Sequence, residues 1–549
     1  MNVTRLRASL AASLAACAVV ATSWPEVVVW GAEQQRRRPG QVTPARDAVP
    51  RGQPAQLGLR VRLTADRAER FADAAARGLD YLPGEVVVRF RSLTTPAARQ
   101  RALDALRGQP DLQDIEWHGP VAIVRDPTQP NAHALARELS RQPEVEYAEP
   151  NYIARIGPAL DERVVRPEPA GEPASVSATP SDEEYFRLQW NFTMLQMPNA
   201  WDIQPGGTSD LIVAVLDSGA TTVNQSITFR VWTGSAFEDV PMAFAVNPDL
   251  PLNRLTDPRD FAFLDPSGPV LDMDGHGSHV AGTIAQETNN GLLLAGLAYN
   301  ARIMPVKVCN LYWELMIARA QANTPGFLSP SAGGCPIVDI ADGIRYAADR
   351  GAKVMNISLS GTGSQEVVRE ALNYAVSRGA FVATSMGNDY EQGNPVMYPA
   401  RYAQDIMGVM SVGAVGKTQA RSYYSSTGAH NEIAAPGGDT RVGGGPGATD
   451  LGRVWQSAGF FPDFDPLFIR RPNFNRYDAI GIQGTSMASP HVAGLAALLA
   501  AQSPGITPAN IERAIRATAR DLGTPGKDND FGYGLIQPRS TLFGWGLRK

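Results

Sequence analysis

The sequence predicts an α/β fold, a mostly parallel sheet covered by helices on both faces, preceded by a small α+β unit. Three observations predict it. Short apolar runs at 211–216, 302–308, 353–359, 380–386 and 406–412 lack polar alternation, as strands buried on both faces do. Helical stretches at 280–285, 340–349 and 367–378 alternate with them, the last stopped by Gly379. Upstream, residues 81–156 give the order strand, helix, strand, strand, helix, strand, which is a split βαβ sandwich.

Taken in chain order, residues 1–32 read as an export signal. Arg5 and Arg7 form a positive start, 10–21 is apolar, and Ala21-Thr22-Ser23 offers a small-residue cleavage site. Leu14-Ala15-Ala16-Cys17 also fits lipid anchoring at Cys17, but Ala18, Val19 and Val20 stand where a polar tether is expected. The reading is therefore a secreted, extracellular protein. Residues 33–80 are expected to be a disordered linker, on the Arg, Pro, Gln and Gly composition that surrounds Arg36-Arg37-Arg38.

In the α+β unit, 85–90 has strand character, and Thr95 and Pro96 supply a cap and first turn for a helix carrying Leu103 and Leu106. Gly108 stops it, 121–124 is a strand, Asn131 caps a helix with Leu135 and Leu139, and 145–148 begins the last strand. His118 and His133 are read as surface residues. Residues 157–184, rich in Pro, Glu, Ala and Ser without periodicity, are read as a processing linker, and 185–549 as one large domain.

Composition narrows the chemistry. With 44% hydrophobic and 19% charged residues in 549, the chain can bury a core, which excludes wholesale disorder. A net charge of −5 and no basic stripe exclude nucleic acid as a partner. Three cysteines (Cys17, Cys309 and Cys335) and six histidines exclude a cysteine-based metal framework. Export favours a disulfide between Cys309 and Cys335, two free buried thiols being the alternative.

In such sheets the chemistry lies at the carboxyl ends of the strands. Asp217 directly follows the first run, in Val215-Leu216-Asp217-Ser218-Gly219, although a helix-capping Asp would look the same alone. His276 stands between Gly275 and Gly277, which let backbone approach the ring. The pair His276 and His279 suits zinc, but no third His or Cys lies at ligand spacing, so His279 reads as a hydrogen-bonded core residue. Ser486, in Gly484-Thr485-Ser486-Met487-Ala488, opens an Ala/Leu helix whose free N–H groups welcome an oxyanion. Pro490 is expected within that helix's first turn.

These three strings, in the order Asp, His, Ser, resemble those of the subtilisin-like serine peptidases (peptidase S8) over 189–535. The unit at 81–156 resembles the inhibitor and chaperone propeptide of that family. The resemblance implies a subtilisin-like sheet preceded by a ferredoxin-like α+β propeptide domain, in a monomeric serine endopeptidase made as an autoprocessed zymogen. Its partners would be protein or peptide substrates and its own propeptide. Ser486 would attack the scissile carbonyl, His276 would carry the proton, and Asp217 would hold the imidazole. Asn388, after Ser385-Met386-Gly387, matches the oxyanion-hole amide.

The resemblance further implies that substrate lies as an extended strand against Ser358, Leu359, Ser360 and Gly361, with Ser385, Met386 and Gly387 as the facing wall. Met397 falls where many relatives carry glycine at the floor of the first specificity pocket, which implies room for small or medium side chains. No cofactor is required for the chemistry. A structural calcium is implied at Thr288, Asn290, Leu292 and Leu294, its acidic partner coming from the segment between Asp217 and His276. Segments 223–260, 310–334 and 437–480 look inserted, and the glycine run 443–447 lacks the strand and helix of a phosphate loop.

Two other readings are weaker. A non-catalytic binding protein on the same fold is disfavoured because Asp217, His276, Ser486 and Asn388 are all present. An ester or lipid hydrolase is disfavoured because Ala488 stands at the second glycine of a Gly-x-Ser-x-Gly elbow.

Overall fold

The computed structural model describes residues 59–157, 164–165, 186–441, 452–459 and 473–546. The expected export signal, most of the processing linker and the glycine run 443–447 lie outside the described residues.

The linker expectation for 33–80 is corrected at its end. Helix α1 (Ala65–Arg77) is capped by Thr64, whose side chain accepts from the Arg67 N–H, and ends at Gly78 with φ 62°. Its buried stripe of Ala68, Phe71 and Ala74 recurs at helical spacing. The composition of the preceding residues had masked that stripe.

Next come β1 (Tyr81–Phe90), α2 (Pro96–Leu103), β2 (Glu116–His118), β3 (Val121–Arg125), α3 (Ala132–Leu139) and β4 (Val145–Ala154). The strands form an antiparallel sheet in the order β4-β1-β3-β2. One face, with Val86 and Val88, packs on Leu103, Leu135 and Leu139 of the helices. The other, with Val87 and Ile123, packs on Ile337 and Val338 of the large domain. The unbroken Val86-Val87-Val88 run follows from that two-sided burial. His118 is buried as well (4% exposed), which corrects its surface reading; its cause, the carboxylates packed around it, is tertiary.

Within the expected processing linker lies the two-residue strand β5 (Val164–Val165); the large domain begins with α4 (Trp190–Met194), α5 (Met197–Trp201), β6 (Ile212–Asp217), β7 (Gln225–Trp232), β8 (Phe237–Phe244), β9 (Arg259–Asp260) and α6 (His276–Ala285). It continues with β10 (Arg302–Lys307), α7 (Tyr312–Gln321), β11 (Cys335–Pro336), α8 (Ile337–Asp349), β12 (Val354–Ile357), α9 (Glu366–Ser377) and β13 (Phe381–Ser385). It closes with β14 (Val409–Val415), β15 (Ile433–Pro436), β16 (Val454–Gly459), β17 (Tyr477–Ile482), α10 (Thr485–Gln502), α11 (Pro508–Thr518) and α12 (Pro538–Gly546).

Seven parallel strands form the central sheet, in the order β15-β14-β13-β12-β6-β10-β9. Strand alternation sends Val213 and Val215 of β6 to a core shared with α6 and α10. Ala214 and Leu216 point to the opposite core, with α8 and α9. The doubly covered parallel sheet is therefore the observed fold. The three inserted-looking segments meet one another: Phe229 and Phe244 of the β7–β8 hairpin, Trp313 of α7 and Phe474 share one core, which also takes Leu63 and Phe71 from the N-terminal unit.

Candidate active site

Asp217 ends β6, and its Oδ1 lies 2.7 Å from His276 Nδ1; both side chains are buried. His276 is the first residue of α6, and the contact depends on Gly277, because a Cβ there would stand 2.2 Å from the Gly219 carbonyl oxygen. A second carboxylate, which sequence reasoning missed, fixes the same corner. Asp272 accepts from the Gly275 N–H (2.7 Å), from the Ser278 N–H and hydroxyl (3.0 and 2.6 Å), and from the Ser218 hydroxyl (3.0 Å). It ties the histidine loop to the aspartate strand.

Ser486 is the second residue of α10, and α10 packs against α6. Its hydroxyl donates to the Ser358 carbonyl at 3.2 Å. The expectation for Pro490 is corrected, since it stands sixth in α10, beyond the first turn. A proline there cannot donate to the carbonyl of Ser486, four residues back. The Ser358 hydroxyl donates to that carbonyl instead, at 2.8 Å, and Asn356 Nδ2 donates to the Ser358 hydroxyl at 2.8 Å. One replacement bond thus couples α10 to the 358–361 segment.

The Asn388 carboxamide oxygen accepts from both the N–H and the hydroxyl of Thr485, each at 2.9 Å. That leaves its Nδ2 for the cleft, where Gly157 lies: a Cβ on Gly157 would stand 2.5 Å from it. Two residues earlier, Arg155 exchanges main-chain bonds with Ser360 (2.8 and 3.0 Å), so the tail of the N-terminal unit is laid on the 358–361 segment as an antiparallel strand. Arg155 Nη1 also donates to the Gly333 carbonyl at 3.0 Å. Ser385 and Gly387 line the other side; the Ser385 hydroxyl reaches the Leu359 carbonyl at 3.5 Å and the Gly387 N–H reaches the Thr485 hydroxyl at 3.1 Å.

The remaining site candidates fall away from this centre. Cys309 and Cys335 are joined as a disulfide, which brackets the 310–334 segment and sets Cys335 beside Ala154 of β4. His279 is fully buried, its Nε2 3.2 and 3.1 Å from the carbonyls of Val454 and Ile480. Among the described residues no group of three or more His, Cys, Asp and Glu could hold a metal, and no helix is long and apolar enough to cross a membrane.

At the 288–294 loop, the carboxylate from the 217–276 segment that bonds Asn290 is that of Asp249. Its carboxylate is fully buried, receives Asn290 Nδ2 (2.8 Å), the Leu294 N–H (3.2 Å) and Gln286, and makes no ion pair among the described residues. Burial raises its pKa above the usual aspartate value, against those hydrogen bonds. A buried carboxylate without an ion pair among the described residues suits a hard cation such as calcium, for which the Asn290 carboxamide, now turned with its NH₂ to Asp249 and its oxygen to the Leu292 N–H (3.0 Å), would have to present its oxygen.

The comparisons with known proteins agree with this architecture. The model of the subtilase family matches residues 208–534, and that of the fervidolysin N-terminal prodomain matches 67–151. The thermophilic serine proteinase of Bacillus sp. (strain AK1) is 30% identical over 458 residues, 83% of this chain and 86% of the relative. The minor extracellular protease Epr of Bacillus subtilis (strain 168) is 26% identical over 454 residues, 82% of this chain and 53% of the relative. The crystal structure of fervidolysin from Fervidobacterium pennivorans, described as a keratinolytic enzyme related to subtilisin, shares the fold with TM-score 0.58 at 23% identity, covering 84% of this chain and 61% of that one. With more than half of its 549 residues matched by one family model, the chain belongs to the subtilase family of serine peptidases, carrying its prodomain ahead of the peptidase domain.

Proposed function

We propose that the chain is a secreted serine endopeptidase that cleaves proteins through Asp217, His276 and Ser486 and is held inactive by its own prodomain. The observation that carries this reading is the peptide already lying in the cleft: Arg155 is paired with Ser360, and Gly157 is against Asn388. In catalysis the Ser486 hydroxyl turns from the Ser358 carbonyl toward His276, which takes its proton as the oxygen attacks the substrate carbonyl. Asp217 holds Nδ1–H and stabilises the imidazolium. The oxyanion is met by Asn388 Nδ2 and by the Ser486 N–H at the start of α10, where the helix dipole favours negative charge. His276 then gives the proton to the leaving amine.

Export is supported by the signal-like start of the sequence and by the extracellular relative. Asp249 and Asn290, with the carbonyls of Thr288, Leu292 and Leu294, would hold a calcium ion, which would supply a structural cross-link far from the bond being cut.

Mass spectrometry and peptide hydrolysis of the secreted product test the reading, beside Ser486→Ala. The parent chain is expected to lose its prodomain and the variant to keep it. The variant should fall about 10⁶-fold in turnover, as loss of the nucleophile does in subtilisin itself. A Ser486→Ala chain that hydrolyses peptide within tenfold of the parent overturns the proposal.

A further inference from the structure

Lys307 ends β10, in register with Asp217 at the end of β6. Its side chain is fully buried, which a lysine tolerates only when its ammonium is paired. Nζ donates to the Ser218 carbonyl at 2.6 Å and to Glu314 Oε1 at 2.8 Å. Burial works against the charge, but Glu314 and then Asp260 outweigh it and raise the pKa above the ordinary lysine value. Glu314 is buried too. It comes from α7, inside the inserted-looking segment bracketed by the Cys309–Cys335 disulfide, and its Oε2 accepts from the Leu311 N–H at 3.2 Å. Every polar group of Ser218, in turn, is tied to the corner that holds His276. Its N–H donates at 2.7 Å to Asp217 Oδ1, the same oxygen that meets the imidazole. Its hydroxyl donates to Asp272 at 3.0 Å and accepts from the Gly277 N–H at 2.8 Å. Its carbonyl takes Lys307. That last bond fixes the peptide plane leading into Gly219, and Gly277 lies so close to that residue that a Cβ on it would stand 2.2 Å from the Gly219 oxygen and 2.9 Å from its nitrogen.

Resting on the peptidase reading above, we propose that Lys307 is a positioning residue for Asp217 and His276, held in place by Glu314 of the inserted α7. It acts through Ser218, not on the bond being cut. The ammonium pins the Ser218–Gly219 peptide, that peptide sets how closely Gly277 approaches, and the approach sets the contact between the carboxylate and the imidazole. A small displacement of such a contact is costly to turnover even when its cause lies outside the reacting groups. The inserted segment thereby supports the chemistry from behind the sheet edge.

The test is peptide hydrolysis by the secreted, matured chain, with active sites counted by a peptidyl phosphonate that modifies Ser486, beside thermal unfolding of the same samples. The variant is the double one, Lys307→Met with Glu314→Leu, because removing both charges together strands neither and is often neutral for stability. Its kcat per active site is expected to fall roughly ten- to a hundredfold, with KM and melting temperature unchanged. A purely structural role would lower the melting temperature or the number of active sites and leave kcat per site alone, and that result overturns the proposal. So does a rise in KM at unchanged kcat. If the double variant is not secreted, Glu314→Gln decides: it keeps an acceptor for Lys307 but weakens the bond, and its kcat per site should fall about threefold. An unchanged value there overturns the proposal. A parent product that cuts no peptide and leaves its own prodomain attached overturns the peptidase reading and this inference with it; an active parent matched by its double variant overturns only the role of Lys307.

Discussion

Glu149 of the prodomain accepts hydrogen bonds from the Glu366 and Val367 N–H groups, at 2.8 and 2.9 Å, and so caps helix α9 of the peptidase domain. Burial pushes its carboxyl up to about 7 against those two bonds, with Glu366 and Glu370 adding to the rise. At the other end of the same interface, His118 Nδ1 lies 2.6 Å from Asp342 Oδ2 and its Nε2 3.1 Å from Glu116 Oε1. Burial would lower His118, but Asp342 and Glu116, with Asp339 behind them, override it and raise it to about 9. The docked state thus binds more protons than separated domains at both groups.

The sign of the linkage follows. The Glu149 term weakens docking as pH climbs from the ordinary carboxyl range to about 7. The His118 term is fully present below the ordinary histidine value of about 6.5 and is lost as pH rises through about 9. Both act in one direction, so a Ser486→Ala chain cut between 158 and 185 by an added protease should hold its prodomain at neutral pH and release it more readily toward pH 10. Size-exclusion chromatography across that range measures it. His118→Ala should flatten the alkaline part, and tighter retention at high pH would contradict the expectation.

Much of this interface was hidden from sequence, for a physical reason. Asp217, His276 and Ser486 each sit in a local string whose small neighbours betray close packing, and the central strands are continuous apolar runs, so both were legible. The burial of His118 depends on Asp342, 224 residues away, and the placement of Asp249 on Asn290, 41 residues away. Neither separation leaves a local pattern. Helix α1 had one, but it followed an Arg- and Pro-rich stretch whose composition dominated the reading. Pro490 looked like a first-turn proline because the replacement donor, the Ser358 hydroxyl, comes from a distant strand end.

The Cys309–Cys335 disulfide spans a separation of 26 residues. Closing a loop of that length removes chain entropy worth about 3–4 kcal/mol from the unfolded state. Replacing both cysteines by alanine is expected to destabilise the peptidase domain by about that amount. Thermal or denaturant unfolding with and without reductant checks it: reductant should lower the parent's stability and leave the double variant unchanged.

If Asp249 is the anionic member of an oxygen cage, removing calcium should cost stability without touching the chemistry. Chelation is expected to lower the melting temperature of the parent, and added calcium to restore it in proportion to its concentration. Asp249→Asn keeps the shape but discards the charge, so its melting temperature should no longer respond to calcium. An identical melting temperature in chelator and in millimolar calcium would remove the cation from this loop.

The two bonds that Thr485 gives to Asn388 carry a consequence for catalysis. In the proposed mechanism the amide of Asn388 meets the oxyanion only if its oxygen is turned away from the cleft, and Thr485 turns it by donating through both its N–H and its hydroxyl. Thr485→Val keeps the N–H and the branched shape but loses the hydroxyl. Losing one such bond is worth about 1 kcal/mol of orientation, so turnover should fall roughly five- to tenfold. Asn388→Ala removes the amide itself and should cost about 10²–10³, as it does in subtilisin. Because the amide acts on charge that develops only in the transition state, both losses should appear in kcat with KM little changed. The double variant should be no worse than Asn388→Ala alone, since Thr485 acts through the residue already removed. A Thr485→Val effect that persists undiminished in the Asn388→Ala background would mean that the hydroxyl serves the site by another route, its remaining bond to the Gly387 N–H being the first to examine.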